Sequence, residues 1–116
     1  MADIAIRDAL RAALRAAMRS RDTAAVAACR GALSALDNAG AVPLDDRHRA
    51  GAIELSAVGP GAADVARAGL SEAESRAIVR READDADEAA ASLPADHATV
   101  AELRRRARLL RDLLDG

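Results

Sequence analysis

The sequence predicts an all-α fold: a small bundle of about four main helices, with an irregular segment over residues 39–70. Three observations predict it. Apolar residues recur at helical spacing in four separate segments. Turn formers concentrate between the second and third of these, where residues 39–70 hold two of the three prolines and five of the seven glycines. Helix-compatible start and stop residues flank the segments.

Helix 1 is expected over Ile4–Arg19 with Asp3 as N-cap. Ile6, Leu10, Leu14, Ala17 and Met18 fall on one face at a period of about 3.6 residues. A break at Ser20–Asp22 starts helix 2, with Asp22 as its cap. Val26, Cys29, Leu33 and Leu36 give that helix an apolar stripe, and Asn38-Ala39-Gly40 reads as its stop. A connection this short makes the two helices antiparallel neighbours.

Residues 39–70 carry scattered apolar residues (Val42, Leu44, Ile53, Leu55, Val58, Val65) and room for short helical turns near 45–53 and 61–68. The stretch is too long for an ordinary connection, so it is expected to pack on the bundle. Helix 3 follows over Glu72–Ser92, opened by the capping box Ser71-Glu72-Ala73-Glu74 and ended before Pro94. Helix 4 is expected to be capped by Asp96. Its seam is Val100, Leu103, Ala107, Leu110 and Leu114, widened by Leu109 and Leu113.

At 116 residues the chain is one small domain. It contains no Phe, Tyr or Trp, so the core must be built from Leu, Ile, Val, Met and alanine methyls in close helix contacts. All 17 basic residues are Arg, and the net charge is −2. A polycation that coats nucleic acid indiscriminately is therefore excluded. Charge is uneven nonetheless. Residues 71–96 carry three Arg against eight acids, whereas residues 1–38 carry six Arg against four and residues 97–116 five against three. One cysteine, no secretory h-region after Met1-Ala2-Asp3 and no apolar run of membrane-spanning length point to a reducing, cytoplasmic setting without membrane contact.

No catalytic constellation accompanies the helices, and no cofactor is expected. Cys29 lies mid-helix on an apolar face and reads as a buried, inert thiol. His48 and His97 lack partners at metal-ligand spacing, so no metal site is expected. Gly59-Pro60-Gly61-Ala62-Ala63-Asp64 has glycines like a phosphate loop but no following Lys-Ser/Thr, and reads as a turn opening a short helix.

Two features carry more. Arg7, Arg11, Arg15 and Arg19 form a row on helix 1 that winds from the edge of the apolar face towards solvent and can be joined by Arg21. Such a row can track a phosphate backbone; the alternative is Arg stems lying over an alanine-rich surface with their heads in water. Without aromatic rings to stack unpaired bases, shape and phosphate recognition of a folded RNA is the form left open. The second feature is Glu82, a lone acid on the apolar face of helix 3. A carboxylate there needs a partner, and Arg30 or Arg106 is the expected ion-pair partner.

Three stretches carry a family resemblance. The first runs Leu14-Arg15-Ala16-Ala17-Met18-Arg19-Ser20-Arg21-Asp22 and on to Leu33-Ser34-Ala35-Leu36-Asp37-Asn38-Ala39. The second joins Ala63-Asp64-Val65 and Leu70-Ser71-Glu72-Ala73-Glu74 to Ile78-Val79-Arg80-Arg81-Glu82. The third is Ala101-Glu102-Leu103 with Leu109-Leu110. On these residues the chain resembles the GatB/YqeY family, small helical proteins related to the tail of the glutamine-dependent aminoacyl-tRNA amidotransferase B subunit. The resemblance implies one helical domain over 1–116 that lacks the family's C-terminal subdomain. It also implies a tRNA-engaging surface, since the related tail engages tRNA while amide transfer occurs in a separate domain. It supplies no catalytic residues.

The reading from sequence is thus a non-catalytic helical module with tRNA as the expected partner. The alternative is a helical protein–protein interaction module or homodimer with no RNA role. An amidotransferase or accessory enzyme is disfavoured by the missing nucleophile–base pair.

Overall fold

The computed structural model describes the backbone of residues 4–57 and 69–116, and the side-chain surroundings of residues 4–41 and 69–116. Four helices follow one another: α1 (Ile6–Ser20), α2 (Thr23–Ala57), α3 (Glu72–Ala91) and α4 (Ala98–Asp115). No strand occurs among the described residues, so the fold is all-α. α3 packs chiefly on α4 and α1 chiefly on α2, while α2 also touches both α3 and α4.

The α1–α2 connection is an elbow with almost no linker. Arg21 adopts the left-handed conformation (φ 59°, ψ 38°). The Arg21 amide donates to the Met18 carbonyl (3.3 Å) and the Asp22 amide to the Ala17 carbonyl (2.9 Å). These two bonds close α1 in a Schellman motif. Asp22 then starts α2: its Oδ1 accepts from the Ala25 amide at 3.2 Å, as its expected capping role requires. One residue therefore ends one helix and begins the next.

Helix α1 is capped differently from expectation. Asp3 lies outside the described residues, and the N-cap position is Ala5, whose side chain offers no acceptor. The acceptor comes from another helix instead: the Ile6 amide donates to Glu72 Oε2 at 2.8 Å. Arg76 Nε donates to the same oxygen at 2.9 Å. Its NH1 reaches the Leu114 carbonyl at 2.8 Å. One Glu–Arg pair on α3 thus places an anion at the start of α1 and a cation at the end of α4, where each opposes the local helix dipole and fills an orphan backbone group.

Helix α2 does not stop at Asn38-Ala39-Gly40; its helical backbone continues to Ala57. The reason lies in register. Gly40 is buried, one turn beyond buried Leu36 and two beyond buried Ala32. No glycine with positive φ occurs among the described residues. Gly40 therefore extends the packed stripe instead of turning the chain. That helical glycine costs about 1 kcal/mol relative to alanine, and Pro43 withholds a further N–H from the ladder. The turn expected near 45–53 falls inside this helix. The one near 61–68, with Val58 and Val65, lies outside the described residues.

Helix α3 carries the predicted capping box. The Glu74 amide donates to Ser71 Oγ at 3.0 Å, and the Ser71 amide donates to Glu74 Oε1 at 2.8 Å. Helix α4 is capped by His97 and not by Asp96: His97 Nδ1 accepts from the Thr99 amide at 3.1 Å. The Ser92–Asp96 turn delivers the imidazole, rather than the carboxylate before it, to the cap position.

Among the described residues alanine supplies seven of the thirteen buried hydrophobic residues, so the helices meet on methyl groups as the aromatic-free composition requires. Ile6, Leu10, Leu36 and Val79 are the largest fully buried side chains among the described residues. The buried face of α2 centres on Ala24, Ala28, Cys29 and Ala32, so Val26 and Leu33 sit at its edges. Met18, expected on the apolar face of α1, is 52% exposed.

Candidate nucleic-acid interface

The α1 arginines divide into engaged and free. Arg7 is held by Asp37 of α2 at 2.8 Å. Arg11 stands a looser 3.8 Å from Asp8. Arg15 and Arg19 are exposed and make no ion pair among the described residues. Arg21 is exposed at the elbow, where its left-handed backbone turns the chain. The helix thus carries its uncompensated charge at the elbow end, with the Arg7 end neutralised.

Helix α4 has the denser arginine run, but most of it is spent on carboxylates. Arg104 donates to Asp87 at 2.9 Å. Arg111 bridges Asp84 at 2.7 Å and Asp87 at 2.5 Å. These pairs lace acidic α3 to basic α4. Hydrogen bonds from Arg111 and then Arg104 hold the Asp87 carboxyl below the usual carboxylate range. Arg105 reaches the elbow and grips Asp22 with both terminal nitrogens at 2.6 Å. That grip, followed by the Ala25 amide, lowers the Asp22 pKa to about 2. Arg108 is exposed and makes no ion pair among the described residues.

The expected pairing of Glu82 with Arg30 or Arg106 is not formed. Arg106 pairs with Glu102, one turn away on its own helix. Its Nε is buried without a hydrogen-bond partner. Arg30 is exposed and makes no ion pair among the described residues. Glu82 instead lies against α2, where its Oε1 would sit 3.4 Å from a Cβ added at Gly31. A glycine at that point leaves room for the acid between the helices. Burial, and then the negative charge of Asp85, push the Glu82 pKa up. The local (i, i+4) carboxylate captured Arg106, and Glu82 sits on the α2 side of α3 rather than the α4 side.

Cys29 is buried at 2% exposure, and burial raises its thiol pKa, with Asp22 adding to the effect. His97 serves as a helix cap. The side-chain surroundings of His48 and the whole of the Gly59–Asp64 stretch lie outside the described residues. Among the described residues no cluster of His, Cys, Asp and Glu is placed to hold a metal ion, and no helix is long and apolar enough to cross a membrane. An open cleft of about 490 Å³ lies between Ile4, Glu72, Arg76 and Leu114. Its polar side chains are those that cap α1 and α4, which gives the cleft a structural explanation.

Sequence reasoning located the α1 row but missed that Arg105 ties α4 to the elbow. Asp22 and Arg105 are 83 residues apart, and no spacing rule links them. No family model, no curated protein and no solved structure matches the chain.

Proposed function

We propose that this chain is a non-catalytic helical module that engages a folded RNA, with tRNA the class suggested by the GatB/YqeY resemblance. The contact surface is the elbow half of the α1 row: Arg11, Arg15, Arg19 and Arg21. The observation that carries the reading is the exposure of Arg15 and Arg19 without an ion pair among the described residues, in a protein where Arg104, Arg105, Arg106 and Arg111 are all engaged. Guanidinium groups left in water are free to exchange counterions for phosphates. Arg7 is omitted because Asp37 already holds it. Contacts of this kind read backbone shape rather than base identity.

Electrophoretic retention of bulk tRNA tests the reading. Native protein should retard tRNA at low salt, and Arg11→Gln, Arg15→Gln and Arg19→Gln together should abolish retardation with the helical circular dichroism spectrum intact. Equal retention by the triple variant would rule out this surface.

A second reading, self-association, draws on the exposure of Met18 (52%) on α1 and of Ile4 (51%) just before that helix. A mass that rises with concentration in sedimentation, together with absent tRNA retention, would favour it.

A further inference from the structure

The free charge on α1 does not end at the elbow. Arg105 crosses from α4 to the Asp22 cap, next in sequence to Arg21 and three residues from Arg19. At about 100° per residue, Arg108 projects between Arg104 and Arg105 on the outward face of α4. Its two neighbours turn aside to opposite flanks, Arg104 to Asp87 on α3 and Arg105 to Asp22 at the elbow. Arg108 is left exposed between them. Asp112 lies one turn further on but makes no ion pair with it. Among the described residues, Asp22 is the only carboxylate paired with Arg19, Arg21, Arg105 or Arg108, and it sits on Arg105. That pair still leaves the Arg105 side chain 45% exposed.

We propose that the RNA-contacting surface crosses the elbow onto α4, where Arg108 engages the phosphate backbone together with Arg19 and Arg21, while Arg105 stays clasped to Asp22. This rests on the RNA-binding reading above. The Asp22–Arg105 clasp fastens the start of α2, and with it the elbow that carries Arg21, to α4, so binding would need little ordering of the elbow against α4. Arg80 and Arg81 are also exposed without an ion pair among the described residues, but they stand on α3 among Asp84, Asp85 and Glu88, whose charges repel phosphate.

The test compares native protein, Arg108→Gln and Arg81→Gln for retention of bulk tRNA over a salt series. Circular dichroism and melting would check each fold. Neither arginine makes an ion pair among the described residues, so both variants should fold as the native protein does. Arg108→Gln should weaken binding several-fold at low salt and reduce the slope of log affinity against log salt by about 0.7–0.9, the loss of one phosphate contact. Arg81→Gln should leave both unchanged. Native binding with an unaltered Arg108→Gln variant would overturn the extension onto α4 while leaving the α1 surface standing. Equal losses in the two variants would overturn it as well, because a diffuse charge effect would then account for the binding. Absence of native binding at low salt would overturn both this proposal and the RNA reading.

Discussion

Asp22 and Arg105 hold one another through two hydrogen bonds of 2.6 Å, and with them the start of α2 is fastened to α4. The same carboxylate caps α2 through the Ala25 amide. The folded-state pKa of about 2 lies below the ordinary value of 3.8. The stabilisation is therefore fully present above about pH 3.8 and is lost as pH falls through about 2. Asp22→Asn keeps a capping side chain but removes the charge. It should lower the melting temperature at neutral pH, with the difference from native vanishing near pH 2. A constant difference across an acid melting series would show that the charge contributes nothing.

Arg21 occupies a left-handed position that usually belongs to glycine. That conformation costs an L-residue about 1–2 kcal/mol. Part of the gain from Arg21→Gly is offset by the wider freedom glycine has in the unfolded chain, about 0.4–1 kcal/mol. Chemical denaturation should show a net stabilisation of about 0.5–1 kcal/mol. Destabilisation of that size would mean that the Arg21 side chain makes a contact worth more than the backbone strain.

Glu82 has a raised pKa and no cationic partner among the described residues. For a carboxyl of this kind the sign runs opposite to Asp22. Its favourable contribution is complete below about pH 4.5 and is lost as pH rises through the folded value. Glu82→Gln should therefore raise the melting temperature at pH 7, with the gain shrinking below pH 4.5. A fall at pH 7 would restore the ion-pair reading that the Gly31 contact replaced.

Leu36 is fully buried and Cys29 nearly so. Leu36→Ala should cost about 2–5 kcal/mol by denaturant unfolding. Cys29→Ala removes less volume and should cost less, with tRNA retention unchanged. The native thiol should react with a labelling reagent only at the rate at which the protein opens. Immediate full labelling would place Cys29 at the surface.

Much of the fold was legible because periodicity and capping are local properties. The Ser71–Glu74 box, the Asp22 cap and the registers of Leu10, Leu36 and Leu110 could be read within a few residues of each position. The misread features all depend on a second element. Gly40 looked like a helix stop, yet it continues a buried stripe whose other members are mostly alanines, and alanine gives a weak hydropathy signal. Glu72 caps α1 across 66 residues of chain. Glu82 needed the identity of the facing helix before its partner could be named. The candidate surface was legible in outline as an arginine row. Only tertiary contacts separate Arg7, spent on Asp37, from the uncompensated Arg15 and Arg19, or single out Arg108 within the run at 104–108.

The most direct test of the proposed function is the salt dependence of native protein binding to bulk tRNA. Three to five arginines at phosphates should give a slope of log affinity against log salt of about −2 to −4, with retention evident at low salt. A slope near zero, or no retention at low salt, would contradict the proposal.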